Sequence, residues 1–246
     1  MRDGAEKRAG GARRTLRGAA PVAVLLLLIS ANVLWVAGSL RLYEALFDRH
    51  GVAADTGISP EGLREVGRQV QDYFAGDEEP LQARAAVYGE ERDLFTDAEA
   101  AHMADVKAMF RRVERVQLGA ALFLLAALAA SIFFERRRAV AEAARWLMGG
   151  AIVTAAFVAA VGLASLVAFD AVFDLFHALG FPQGNYRFDT RTSFLVRIFP
   201  FGFWRDVTLL IGVMALAEAG VLYAAGRALR RKAAAFGARG SADGGE

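Results

Sequence analysis

The chain has 246 residues, 55% of them hydrophobic, with 18 Phe and a mean hydropathy of +0.31, a balance that belongs to membrane proteins rather than to soluble domains. Its 29 Lys and Arg against 27 Asp and Glu leave a net charge of only +2, and the basic residues gather at the ends of apolar segments, which excludes a nucleic-acid footprint. Cysteine is absent, and with it disulfide frameworks, thiolate nucleophiles and Cys-ligated zinc, so the three His are left as groups for proton chemistry near neutral pH.

Four apolar runs have spanning length, residues 19–40, 116–134, 147–169 and 207–225, since about 20 residues at a rise of about 1.5 Å cross a hydrocarbon core of about 30 Å. The first follows Arg2, Lys7, Arg8, Arg13, Arg14 and Arg17, as a cleaved signal peptide would, but it continues through Val33, Leu34, Trp35 and Val36, past a usual signal core, and is expected to remain as a span. Short basic segments resist translocation. Residues 1–18 carry 6 Lys and Arg, residues 135–146 carry 4 and residues 226–246 carry 5, which places all three on the cytoplasmic side. The expected fold class is therefore a membrane α-helical protein. It has a basic tail over 1–18, a four-span membrane domain over 19–225 with an outer cap formed by 44–115 and 170–206, and a second basic tail over 226–246.

In the first outer segment, His50 in Asp48-Arg49-His50-Gly51 has no periodic context and reads as a solvated loop residue. Ser59-Pro60 reads as N-cap and first helical position, with Leu63, Val66, Val70 and Tyr73 on one face and Gly76 as the stop. Leu81, Ala83, Ala85 and Val87 alternate, residues 88–91 supply a turn and 92–95 return, which predicts a small hairpin. Thr96 followed by Glu99 is a capping box, so a helix starts there and runs through His102, Val106 and Phe110 toward the second span.

In the second outer segment, Asp170, Asp174 and His177 fall at i, i+4 and i+7 on an extension of the third span, which Gly180, Pro182 and Gly184 end. The aromatic run 199–204 is expected to anchor the fourth span at the membrane surface. Within that span, Glu218 is an ionisable group at membrane depth, read as a hydrogen-bonded carboxylate facing the bundle toward Asn32 or Ser165.

Two acid-x-x-His pairs carry the chemical interest, Glu99 with His102 and Asp174 with His177. Each sets a carboxylate and an imidazole one helical turn apart, and the span arithmetic puts both pairs on the outer side. Either pair alone is equally the mark of a solvated or structurally satisfied histidine.

The string Glu99-Ala-Ala-His102-Met103-Ala-Asp105-Val106-Lys107 before a span resembles a family of four-span bacterial membrane proteins long known only as a domain of unknown function, the lipoprotein intramolecular transacylases. So does a second block with Phe176-His177, Phe181, Gly184-Asn185-Tyr186, Phe188-Asp189, Leu195-Val196, Phe199-Pro200 and Phe203-Trp204-Arg205-Asp206. The likeness covers roughly 21–226. It implies a helical bundle capped outside by a small, partly β, barrel-like domain holding two essential histidines, matched here by His102 and His177. It also implies transfer of the sn-2 acyl chain of a lipoprotein's diacylglyceryl group to the α-amine of its N-terminal cysteine, with diacylated lipoproteins and membrane lipid as partners and no cofactor. Gly180, Arg187 and Ser193 depart from the pattern, where Phe, Trp and Asp are usual.

Such a transfer asks for a base at the amine, stabilisation of the carbonyl oxygen and an acid at the leaving alkoxide. Two imidazoles can serve both proton steps. Asp174 or Glu99 can fix a ring tautomer, Asp105 is a further carboxylate on the His102 helix, and Tyr186, Arg191 and Arg197 are candidate oxyanion donors. No enzyme nucleophile is required, because the substrate amine attacks. Two alternatives stay open on residues alone: a metal-dependent membrane hydrolase, because Glu-x-x-His is also a dimetal spacing on bundle helices, and a non-enzymatic partner protein binding through its acidic outer segment.

Overall fold

A computed structural model describes residues 2–181, 184 and 186–242 of the chain; Pro182 and Asn185, used in the sequence reading, lie outside the described residues. The elements in order are α1 (Arg2–Ala37), α2 (Leu40–Arg49), α3 (Val52–Thr56), α4 (Pro60–Ala75), β1 (Arg84–Val87), β2 (Glu90–Asp93), α5 (Asp97–Val167), α6 (Phe169–Gly180), α7 (Phe194–Ile198) and α8 (Phe201–Ala242). Four stretches are long and apolar enough to cross a bilayer: Gly18–Ala37, Asp97–Phe134, Arg138–Val167 and Phe201–Ala234. The chain divides into two compact units, one of Met1–Asn32, Arg115–Ala160 and Gly212–Glu246, the other of Val33–Glu114 and Val161–Ile211.

The first unit is a helix bundle. Helix is continuous over Asp97–Val167, yet Ala20, Ala127 and Trp146 form one buried cluster. Nineteen residues of straight helix would separate Ala127 from Trp146 by about 28 Å, so the axis turns back between them, across the charged stretch at 135–138. Small residues allow close helix approach, the usual means of association in lipid: a Cβ on Gly150 would stand 2.5 Å from Val24. Asn32, 2% exposed, donates from Nδ2 to Glu218 Oε2 at 2.8 Å, which gives the intramembrane carboxylate the partner expected of it. Leu118, Leu122 and Leu125 are exposed, as suits a surface solvated by acyl chains.

The second unit has its own core. In α4, Ser59 accepts from Gly62 N, Pro60 opens the helix, and Leu63, Val66, Gly67, Val70 and Tyr73 are buried, the face the period of 3.6 requires. These side chains meet Tyr43, Leu46 and Phe47 of α2 and Leu81, Ala83, Ala85 and Val87 around β1. The hairpin is antiparallel, with Val87 opposite Glu90. Its turn is Tyr88-Gly89, shorter than the expected 88–91, because positive φ at both residues (51° and 89°) makes a two-residue primed turn matched to strand twist.

The barrel-like cap implied by the resemblance is not found. Among the described residues the sheet has two strands of four residues, with one isolated bridge between Ile58 and Val87. All of β2 is exposed, so nothing closes the sheet on itself, and α4, itself backed by α2, covers the apolar face of β1 instead.

Three further expectations are corrected. The third span does not extend into α6: Ala168 (φ −148°, ψ 64°) breaks the helix, without Gly or Pro, because Phe169 and Phe173 turn inward to pack on Phe201 at ring distances of 4.8 and 5.7 Å. In the aromatic run 199–204, Phe199 and Phe203 are core residues, 6% and 2% exposed, set edge-on to Tyr43; only Phe201 and Trp204 are exposed. His50 is not a solvated loop residue. It caps α2, its Nε2 lies 3.1 Å from Asp206 Oδ2, and its ring lies against Gly202, where a Cβ would meet it at 2.5 Å.

Leu63→Ala should destabilise the second unit by about 2–5 kcal/mol through a core cavity, whereas Glu90→Ala on the exposed strand should change it by less than about 0.5 kcal/mol. Amide hydrogen exchange across α4, which falls silent on the difference only if both variants protect equally, measures this.

Candidate active site

The site starts with the capping box of α5. Thr96 Oγ1 accepts from Glu99 N at 3.3 Å, while Glu99 Oε2 accepts from Thr96 N at 2.7 Å and Thr96 Oγ1 at 2.8 Å. The other carboxylate oxygen, Oε1, accepts from Ser193 Oγ and from Leu195 N at 3.1 Å. Glu99 is 2% exposed, and four donors meet the requirement that a buried charge be hydrogen-bonded. This carboxylate therefore joins the first turn of α5 to the first turn of α7, in which Ser193 also accepts from Val196 N as N-cap.

One turn beyond Glu99, Met103 enters the core and His102 turns toward α6, 7% exposed. The ring centroids of His102 and His177 are 6.2 Å apart and the planes 22° from parallel. Aromatic rings close round both: Phe181 at 4.8 Å from His102 and 5.4 Å from His177, Phe188 at 5.7 Å from His102, Phe173 at 4.1 Å and Tyr186 at 4.8 Å from His177. The 6.2 Å between ring centres is within the span of one substrate headgroup.

His177 Nδ1 lies 2.8 Å from the carbonyl of Phe173, one turn earlier. A carbonyl only accepts, so in the neutral ring Nδ1 carries the proton and Nε2 keeps its lone pair. Burial lowers the pKa of His177 from its ordinary 6.5, opposed by the Phe173 hydrogen bond and by the charge of Asp174.

The remaining sequence candidates are placed as follows. Asp174 pairs with Arg187 at 3.4 Å and acts on His177 through its field, while the Nδ1 contact goes to the Phe173 carbonyl. Tyr186 lies on His177, with the Arg187 guanidinium 5.7 Å from its ring centre. Asp105, half-buried one turn beyond His102, is near enough to help raise the Tyr73 phenol. Arg191 is paired with Asp189 at 2.9 Å and its side chain is 85% exposed. Arg197 bonds Asp55 at 3.0 Å and stacks on Phe194. Phe181 and Phe188 stood in the second resembling block without an assigned role, and Phe173 was not named; its i−4 relation to His177 is the one local signal that points to it.

The three departures have physical readings. Ser193 donates to Glu99, where an ionised Asp would set a second acceptor against the carboxylate. Arg187 supplies a cation to Asp174. At Gly180 a Cβ would meet only Met109 Sδ, at 3.7 Å. Among the described residues no group of three or more His, Asp or Glu is placed to hold a metal ion.

Two buried imidazoles in one aromatic shell, in a chain with four membrane-length helices, define a helical membrane protein with a paired-histidine site. Residues 19–204 match the family described as lipoprotein intramolecular transacylase Lit, and the chain belongs to that family. The in meso structure of the membrane integral lipoprotein intramolecular transacylase Lit from Bacillus cereus is similar in fold, with a TM-score of 0.77 at 16% identity over 91% of this chain and 98% of that one. Two variants of the same protein, with a histidine replaced by arginine or by alanine, give TM-scores of 0.74 and 0.73 at 15% and 16% identity, over 94% and 92% of this chain and 98% and 97% of theirs. No curated protein matches the chain by sequence. This is an integral membrane protein, mostly helical, with a small two-stranded hairpin.

Because the folded pKa of His177 is depressed, the unfolded chain binds this proton more readily. The group's contribution to stability is full above about pH 6.5 and is lost as pH falls from there through the lowered folded value. Histidine NMR titration in nanodiscs should give His177 a pKa below 6.5, and His177→Gln should remove this component of the acid sensitivity; a titration at or above 6.5 refutes the assignment of burial as the dominant cause.

Proposed function

We propose that this protein transfers the sn-2 acyl chain of a lipoprotein's diacylglyceryl group to the α-amine of the same N-terminal cysteine, leaving a lyso-form lipoprotein. The observation that carries the reading is the placement of His102 and His177, from two separate helices, with ring centres 6.2 Å apart inside one aromatic shell. Membership of the Lit family supports it.

In the proposed mechanism His177 is the general base. Its Nε2 lone pair is directed by the Nδ1–H bond to Phe173, and its lowered pKa keeps the ring neutral near pH 7. It removes the proton from the α-amine as nitrogen attacks the ester carbonyl carbon. The C–N bond forms, the carbonyl oxygen takes the electron pair, and the tetrahedral centre collapses by expelling the secondary alkoxide of the glyceryl group, which His102 protonates. One proton thus leaves the amine and one arrives at the alcohol. Tyr186, beside His177, is assigned to the oxyanion, while Asp189 holds Arg191 at the surface. Asp174 offsets part of the desolvation of His177. Glu99 positions His102, and Asp105 acts from the same helix. Attack closes a medium-sized ring through the substrate's own thioether, so holding the headgroup bent is a large share of the catalysis, within about 7–11 kcal/mol allowed to orientation.

The reading extends to topology. With 15 basic residues in three short segments (6, 4 and 5), we place both termini in the cytoplasm and the histidine pair outside.

His102→Ala and His177→Ala should each lower conversion to the lyso form by about 100-fold or more, the usual worth of general acid–base catalysis, with expression retained, as read by mass spectrometry of N-terminal lipopeptides from a co-expressed lipoprotein. Less than a tenfold loss at either position removes its assigned role. For topology, the chain has no Cys, so single labels are unambiguous: an impermeant thiol reagent on intact cells should modify Glu90→Cys and spare Ser241→Cys, and the reverse pattern inverts the assignment.

A further inference from the structure

Helix α8 continues beyond its membrane-length stretch to Ala242, and its two sides differ. At about 100° per residue, Ala215, Ala219 and Gly226 fall on one side and are buried. Gly226 is so close to the part of α5 after its turn that a Cβ there would stand 2.7 Å from Met148 and 2.9 Å from the Ala144 carbonyl oxygen. The outward side is one stripe of two chemistries. Val213, Leu216, Gly220 and Ala224 lie within about 80° of one another and are exposed. Beyond them Arg227 and Arg231 continue the same side, with Arg230 at its inner edge, and all three are exposed. Gly220 has nothing within 4 Å of where a Cβ would stand, so the apolar part of the stripe carries an open notch.

The cations are uncompensated. Among the described residues no carboxylate pairs with Arg227, Arg230 or Arg231, whereas Arg145, next to Ala144 at the same helix crossing, donates to Glu142 at 3.1 Å. Their depth is set by the helix: from Leu216 to Arg227 the rise is about 16 Å, close to the hydrocarbon of one leaflet, about half of a 30 Å core. Three guanidiniums at that depth, at the end of an apolar stripe, fit an anion whose body is hydrocarbon. The small residues Gly220 and Ala224, one turn apart, are also a spacing that lets a second copy approach. A two-fold pairing through this face would set each copy's three guanidiniums against their equals, and such like-charge contact is costly. Charge complementarity therefore favours the anionic lipid.

We propose that this face of α8 is a binding site for an anionic phospholipid, its phosphate held by Arg227, Arg230 and Arg231 and one acyl chain lying along Leu216, Gly220 and Ala224. Guanidinium forks take phosphate oxygens in pairs, and a basic cluster at the end of a membrane helix attracts anionic headgroups. The stripe selects a lipid by headgroup charge, since any hydrocarbon chain suits its apolar part. It belongs to the helix bundle and the histidine pair to the other unit, so this lipid is a ligand of the bundle and takes no part in the acyl transfer.

The test titrates the full-length protein in detergent with phosphatidylglycerol and with phosphatidylcholine of identical chains, and reads bound lipid by native mass spectrometry. The unsubstituted protein should bind phosphatidylglycerol about tenfold or more tighter, within what three basic residues contribute beside anionic lipid. In the Arg227→Gln/Arg230→Gln/Arg231→Gln variant the two affinities should come within about twofold of each other. All three side chains are exposed, so folding should be unaffected, with thermal unfolding as the check. Equal affinities in the unsubstituted protein overturn the proposal whether or not the variant folds, and so does a preference that survives in the folded variant. A preference abolished by excess inorganic phosphate, but not by chloride at equal ionic strength, makes the ligand a free phosphate and overturns the lipid assignment. A dimer that forms without lipid and is lost in Gly220→Leu gives the face to a second copy and overturns it as well.

Discussion

A carboxylate removed from water must have its lone pairs filled, and Glu99, buried to 2% exposure, meets that demand by drawing donors from two places far apart in sequence. Thr96 supplies a backbone N–H and a hydroxyl from the same turn, and Ser193 and Leu195 supply a hydroxyl and a backbone N–H from α7. Loss of one donor from such a site costs about 1.5–3 kcal/mol, the usual worth of a hydrogen bond to a charged group. The geometry of the rest follows from this joint. His102 is one turn along the same helix, and the loop that delivers Phe188 to it enters α7 through Ser193. Arg197, at the other end of α7, is tied to Asp55, so this five-residue helix is held at both ends although it is far too short to be stable alone.

The two histidines are held by different means, and the difference suits their proposed roles. His102 belongs to the long helix α5, anchored by the capping box, by Glu99 and by Met103 in the core. His177 belongs to the short helix α6, held to α8 by edge-on and tilted aromatic contacts of Phe169 and Phe173 with Phe201. Desolvation by the surrounding phenylalanines disfavours its cation, and the Phe173 carbonyl with Asp174 restores part of that loss. A ring kept neutral with a fixed tautomer is what a general base requires. For the proposed transfer the aromatic walls add a second benefit, since they limit the water that would divert it to hydrolysis.

Similarity to the Bacillus cereus protein at 16% identity over nearly its whole length is understandable in these terms. Helices that cross a membrane satisfy their backbone groups internally and tolerate any apolar residue on the lipid side, so most positions of such a fold are weakly specified. In this chain the specific packing falls on a few points, among them the buried carboxylate, the paired imidazoles and the aromatic core made by Tyr43, Phe47, Phe199 and Phe203.

Features governed by local periodicity were legible without coordinates. The four apolar runs, the α4 face of Leu63, Val66, Val70 and Tyr73, the Thr96–Glu99 box and the position of a hairpin all depend on spacings of a few residues, and spacing is what a sequence records. The Asn32–Glu218 bond was also within reach, since a carboxylate at membrane depth must find a donor and few polar residues exist there to supply one. Other features required the tertiary structure, because they depend on which distant groups compete for the same space. The break at Ala168 carries no Gly or Pro and exists because Phe169 and Phe173 gain more by packing on Phe201 than by continuing a straight helix. His50 looked like a loop residue until Asp206 and Gly202 were brought against it. Phe199 and Phe203 suited a membrane anchor equally well until Tyr43 and Phe47 made them core. The resemblance to a family suggested a barrel, and of the two short strands here β1 is instead covered by a helix while β2 stays exposed. The sequence by itself determined four runs of membrane-spanning length and two candidate imidazoles; only the folded chain decided that the two rings lie 6.2 Å apart, because that distance depends on how two helices pack round the Phe181 ring, which local periodicity does not record.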